Sequence, residues 1–172
     1  MENKIWFNPR AVILAWLLAA SASAIAADEL VVVSDFSQEA KIAQSKNIPI
    51  LVLFSASGCH YCERVRQEFL IPMQKNAAYR NKVIFREVEA GSDATLKDFL
   101  GRKTTHSDFA NAYKVTLTPT IKIFDSHGHE AAPAIVGLLT PDFYGGYLDQ
   151  AIELALTKIR SQKVANVARV KS

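Results

Sequence analysis

Hydrophobic positions along the chain follow two rhythms. Short β-branched runs alternate with stretches in which apolar residues recur at three- and four-residue spacing, the signature of an α/β domain. Leu30–Val33 reads as a short outer strand and Ser37–Lys46 as a helix with Ala40 and Ala43 inward, stopping near Asn47-Ile48-Pro49. Ile50–Phe54 is apolar without alternation, as expected of a central strand covered on both faces. In the helical pattern that follows, Cys62, Val65 and Phe69 share an apolar face, while Arg64, Arg66, Gln67 and Glu68 take the rest. Pro72 should kink or end this helix, because it lacks an N–H and crowds the preceding turn.

Further on, Val83–Val88 alternates as a strand, and Asp108–Tyr113 reads as a short helix capped by Ser107. Thr120–Phe124 is the cleanest strand; it turns through Asp125-Ser126-His127-Gly128 and returns through Ala134–Val136. Thr140-Pro141 looks like an N-cap followed by proline at the first helical position. Tyr144, Leu148, Ile152, Ala155 and Ile159 then carry the apolar stripe of the last helix. Between Gly91 and Thr105 two readings stay open: a small strand over Thr95–Phe99 turning at Gly101, or a short helix.

The first residues follow another pattern. Lys4 and Arg10 precede an unbroken apolar run from Ala11 to Ala20, small residues follow to Ala27, and charge returns at Asp28. That is the layout of a secretory signal over residues 1–26, with Ala24-Ile25-Ala26 as the cleavage site and Ala24 as the nearby alternative. An alanine-rich stretch of this length is marginal for spanning a bilayer, which needs roughly 20 strongly apolar residues, so no stable membrane insertion is expected after cleavage. The expected mature chain is one domain over residues 27–172, with a core from about residue 31 to 159 and a basic tail over 160–172 that reads as a solvated helix end or a frayed terminus. The whole chain has a formal charge of +3, and losing Lys4, Arg10 and Glu2 with the leader lowers it by one. Such a balance argues for neither nucleic acid nor an anionic membrane as a partner.

Export sharpens the meaning of Cys59-His60-Tyr61-Cys62, because these are the chain's 2 cysteines. A C-x-x-C closes too short a loop to brace a fold, so the pair reads as a working redox couple. At a helix N-terminus the two are unequal. Unpaired backbone N–H groups and the helix dipole stabilise a Cys59 thiolate, lowering its pKa below the free value of about 8.5 and making it the nucleophile. Cys62, one turn in on the apolar face, is shielded and resolves the mixed disulfide. His60 adds positive charge or a hydrogen bond, or is an exposed loop residue; Tyr61 offers a contact surface. Glu63 assists proton transfer or is an ordinary first-turn acid.

A second element is Thr118-Pro119-Thr120, directly before the cleanest strand. Proline opening a central strand removes a ladder donor and needs a reason, such as a cis bond in a tight turn. Such a turn would leave the Thr118 backbone free to pair with an incoming extended peptide; an ordinary trans proline in a strand-entry loop is the alternative.

The order of these elements, from strand and C-x-x-C helix through Thr-Pro-Thr, the F-D-x-x-G of Phe124–Gly128, Gly137 and the last helix, resembles the thioredoxin superfamily over about Val31–Ile159. The resemblance implies a thioredoxin-like fold, a central mixed β-sheet flanked by helices on both faces. It implies that Cys59 attacks, that Cys62 resolves, that the two close a disulfide, and that Pro119 is the cis-proline beside it, with Thr118 and Pro119 meeting substrate. Ser57-Gly58 replaces the tryptophan common before the first cysteine, and Leu53 stands where cytosolic members carry a buried aspartate. Cys62 then depends on water, Glu63 or the substrate to lose its proton. Tyr61 and Thr118 resemble periplasmic disulfide isomerases and reductases, and the Phe69–Pro72 break with Asp98–Gly101 resembles periplasmic thioredoxins of the SoxW-like type.

The expected function is a periplasmic thiol:disulfide oxidoreductase that reduces or isomerises disulfides in exported proteins. No cofactor and no metal are expected, and a membrane thiol-transfer protein is the implied electron donor, since the periplasm is oxidising. A dithiol oxidase is the rival on the same fold. A metal-binding or delivery module would use Cys59, His60 and Cys62 with His127 or His129, but those two histidines read as a solvent-exposed turn. A non-catalytic interaction domain has no need of Cys59, Cys62 and Pro119.

Overall fold

The computed structural model describes residues 29–170. The expected leader over residues 1–26 lies outside the described residues, as do the last two positions of the tail. In chain order the elements are α1 (Phe36–Lys46), β1 (Ile50–Ser55), α2 (His60–Arg64), a π-helical turn (Val65–Leu70), α3 (Ile71–Lys75), β2 (Ile84–Glu89), β3 (Thr95–Lys97), β4 (Lys103–Thr105), α4 (His106–Ala112), β5 (Thr120–Phe124), β6 (Ile135–Val136) and α5 (Pro141–Val170).

The main sheet has the order β2-β1-β5-β6, with β1 parallel to β2 and antiparallel to β5. Every residue of β1 is buried, because successive side chains enter two different cores. Leu51 and Leu53 join Phe85, Ile121 and Ile123 under Val65, Leu70 and Ile71 and the Tyr144, Leu148, Ile152 and Ala155 stripe of α5. Ile50, Val52 and Phe54 face Phe36, Ala40 and Ala43 of α1 and Phe109 of α4. That second core is aromatic: Phe36 lies between Phe99 and Phe109 at ring-centroid distances of 4.7 and 4.6 Å. Each such side chain contributes about 1.5–3 kcal/mol by leaving water. The mixed sheet with helices on both faces is the arrangement expected from the sequence.

Several boundaries differ from expectation. Leu30–Val33 makes a single bridge, Val32 to Glu87, rather than a strand. The Val33 N–H donates to the Glu87 carbonyl and the Glu87 N–H to the Val31 carbonyl, each at 2.9 Å, and the segment leaves the edge of β2 after these bonds. α4 begins two residues earlier than expected, and its cap is Thr105, whose Oγ1 accepts from the Asp108 N–H at 3.0 Å. Thr105 ends β4 in an extended conformation, so its hydroxyl folds over the first turn, whereas Ser107 is already helical. The Gly91–Thr105 stretch resolves as the antiparallel hairpin β3–β4. Its turn is held by the Asp98 carboxylate, which accepts from the Leu100 and Arg102 N–H groups at 2.9 Å.

Pro72 does not end the helix; it stands just past a widened turn, at the start of α3. The backbone widens before it: the Ile71 N–H donates to the Arg66 carbonyl five residues back, and α3 then runs on to Lys75. A π turn shifts the hydrogen-bond register in the turn before the proline. At the other end of the chain, α5 continues into the expected tail as far as Val170.

Two positions make the fold testable. Gly128 sits at φ +81°, where a Cβ would stand 2.6 Å from the Phe99 ring and 2.9 Å from the Tyr113 hydroxyl. Gly128→Ala should therefore destabilise by about 2 kcal/mol or more, read as a lower urea midpoint. His106 is buried, with Nδ1 accepting from the Glu89 N–H at 3.3 Å. Burial lowers its pKa, against the opposing pull of the Glu89 carboxylate and a bond to the Val33 backbone. The folded state thus favours neutral His106. Its contribution is whole above the unfolded value of about 6.5 and is lost as pH falls from there toward the lower folded value. Between pH 7.5 and 5.5 the urea midpoint should fall further for the native chain than for His106→Gln; equal falls would contradict this.

Candidate active site

β1 ends at Ser55, and a tight turn delivers the cysteines to the start of α2. The Cys59 N–H donates to the Ala56 carbonyl at 3.2 Å, with Gly58 at φ +70°, the pattern of a type II turn in which glycine supplies the left-handed position. Cys59 is the N-cap of α2. Its carbonyl accepts the first helical bond, from the Glu63 N–H at 3.2 Å, and its Sγ accepts from the Cys62 N–H at 3.2 Å. The cysteines are joined, with S–S 1.99 Å and Cα–Cα 5.2 Å. Cys59 is half-buried and Cys62 is buried, so only the first has a path to a partner.

The Thr118–Pro119 peptide bond is cis, and the Thr118 hydroxyl lies 3.6 Å from Cys59 Sγ. This loop is pinned on both sides. Thr120 Oγ1 donates to the Leu117 carbonyl at 2.7 Å, and the Gly137 N–H donates to the Pro119 carbonyl at 2.7 Å. The sheet register therefore brings together Cys59, Cys62, Thr118 and Pro119, which are far apart in the chain. His60 and Tyr61 are exposed beside the disulfide, with their rings 5.9 Å apart.

Glu63 is exposed, and its carboxylate holds the Arg66 guanidinium. Arg66 reaches inward from what the sequence presents as the polar side of the helix, and its Nε and terminal nitrogen meet Glu87 at 3.0 and 2.5 Å. Glu87 is buried, accepts from the Ser55 hydroxyl at 2.6 Å, and is the register partner of Leu53. A carboxylate is thus present beneath the site after all, on the neighbouring strand. Glu87 raises the Arg66 pKa by hydrogen bonding, keeping the guanidinium charged. Sequence reasoning missed this cluster. The signal was there: in an alternating β2, Glu87 shares a face with the apolar Phe85.

His127 and His129 are not part of the site. Phe54 pairs with Thr120 and Ile50 with Phe124, so the turn after Phe124 lies at the end of the sheet away from the cysteines. Their rings stand 6.1 Å apart, and Asp125 organises the turn by accepting from both backbone N–H groups at 2.8 and 2.9 Å. Among the described residues, no group of three His, Cys, Asp or Glu is placed to hold a metal.

Solved structures similar to the chain include thioredoxin f from spinach chloroplast, at 15% identity and TM-score 0.50, covering 74% of this chain and 94% of that one. A wild-type thioredoxin h of poplar matches at 18% identity and TM-score 0.48, covering 68% and 94%. The oxidized mitochondrial thioredoxin 3 of Saccharomyces cerevisiae matches at 18% and 0.47, covering 70% and 94%. At 15% identity the spinach protein speaks to the fold alone. Among curated proteins, none matches the sequence. Residues 36–152 match the family described as thioredoxin-like domain, a span that takes in the C-x-x-C, the cis-proline loop and most of both cores. The chain belongs to the thioredoxin-like domain family, as a thiol:disulfide oxidoreductase whose cysteine pair is Cys59 and Cys62.

Proposed function

We propose that the protein is an exported, periplasmic oxidoreductase that reduces or isomerises disulfides in other exported proteins, of the SoxW-like type. The observation that carries this reading is the asymmetry of the pair: Cys59 caps the helix within reach of Thr118 while Cys62 is sealed beneath it. In the dithiol state the Cys59 thiolate attacks one sulfur of a substrate disulfide. The substrate S–S bond breaks, a mixed disulfide forms, and the other substrate sulfur leaves as thiolate. Cys62 then attacks Cys59 Sγ, breaking the mixed disulfide. Its proton passes to a departing substrate thiolate, because Leu53 offers no carboxylate to accept it and Glu63 and Glu87 are both committed to Arg66. Solvent supplies the second proton. The substrate gains two electrons and two protons and the enzyme is left as Cys59–Cys62 disulfide.

Thr118 and Pro119 form the rest of the subsite, the Thr118 backbone pairing with an extended substrate segment. Return to the dithiol state needs electrons from across the inner membrane, which a membrane thiol-transfer protein would deliver.

Cys59→Ser should abolish reduction of insulin disulfides with dithiothreitol as electron source, and retained activity would sink the reading. Cys62→Ser should accumulate mixed disulfides with exported proteins in the periplasm; if only cytoplasmic proteins are caught, the export assignment fails. Equilibration with glutathione should give a potential closer to about −270 mV than to about −120 mV, the latter being the mark of a dithiol oxidase.

A further inference from the structure

The last helix carries apolar residues that the core does not use. At about 100° per residue, Tyr144, Leu148, Ile152 and Ala155 point into the sheet, while Phe143, Tyr147 and Leu154 fall together on a neighbouring flank. They are 66%, 45% and 51% exposed. Leu139, 85% exposed just before the helix, continues this stripe toward the redox pair. It lies within 3.8 Å of where a Cβ on Gly137 would stand, and Gly137 holds the Pro119 carbonyl. The stripe therefore begins beside the disulfide and runs down α5 away from it.

We propose that Leu139, Phe143, Tyr147 and Leu154 form a docking surface for the polypeptide that exchanges with Cys59, selecting chains that carry apolar residues near their disulfide. This rests on the disulfide-exchange reading above. Exchange itself names the occupant, because a substrate sulfur must come within bonding distance of Cys59, and Gly137, whose N–H holds the Pro119 carbonyl, sets Leu139 at the same end of the sheet. Aromatic anchors and leucine on an uncharged strip suit a protein surface rather than a small polar disulfide.

The test compares two disulfides on the full mature chain, insulin and hydroxyethyl disulfide, the latter too small to reach along the helix. For a double Phe143→Ser, Leu154→Ser variant, kcat/KM on insulin should fall about tenfold, mainly through KM. The ratio of insulin to hydroxyethyl disulfide rates should fall by the same factor. Unchanged insulin kinetics, or equal losses on both disulfides, would overturn the proposal. So would a wild-type dimer in sedimentation that the double variant dissociates, since the stripe would then bind a second copy of the chain. A native protein inactive on both disulfides would bring down the exchange reading, and the docking surface with it.

Discussion

Burial of β1 on both faces is the constraint from which the rest of the structure follows. A strand with no exposed residue needs a partner on each edge and a layer on each face, and β2, β5 and the two cores supply them. Once so held, the end of β1 is a fixed point. The turn through Gly58 starts the reactive helix from that point, and the antiparallel neighbour β5 brings its own beginning, Thr118-Pro119-Thr120, alongside. The chemistry is accordingly assembled at one end of a rigid strand, where Cys59 meets solvent and Cys62 does not.

Beneath that end lies an unusual polar cluster. Glu87 on a buried face would be costly alone, since an unpaired interior charge loses its hydration. Ser55 and Arg66 occupy its oxygens, and Arg66 is in turn shared with the exposed Glu63. Breaking such a group by removing one member costs more than the pair is worth, so it locks the helix that carries Cys62 against the sheet. The π turn contributes to the same contact, because Arg66 lies within it and the widened backbone carries Val65 and Leu70 into the core on either side.

The surface around the site divides by chemistry. Tyr61 and Leu117, each 56% exposed, flank the disulfide, and the apolar side of α5 leads away from it. The opposite end of the sheet is a different environment, where Tyr113 is fastened to the Gly128 carbonyl and Asp125 closes the turn. Burial raises the Tyr113 pKa to about 12, so its hydroxyl remains a donor at neutral pH. The two ends are built for different purposes: one is apolar and open beside a reactive bond, the other is a tied-off turn.

Most of the fold and the reactive pair were legible in the sequence. Unbroken apolar character marked β1, i/i+3/i+7 spacing marked the face of the reactive helix, the C-x-x-C marked the couple, and a proline before a strand marked the loop that meets it. These are local patterns, and local patterns survive without knowledge of neighbours. What needed the tertiary structure was every feature set by distance across the sheet. The sequence alone could not say that Thr105 rather than Ser107 would cap α4, because that depends on where β4 stops. Nor could it say that Arg66 would turn inward to a carboxylate opposite Leu53. Pairing register decides which side chains share a buried space, and register is a property of the packed chain rather than of any one segment.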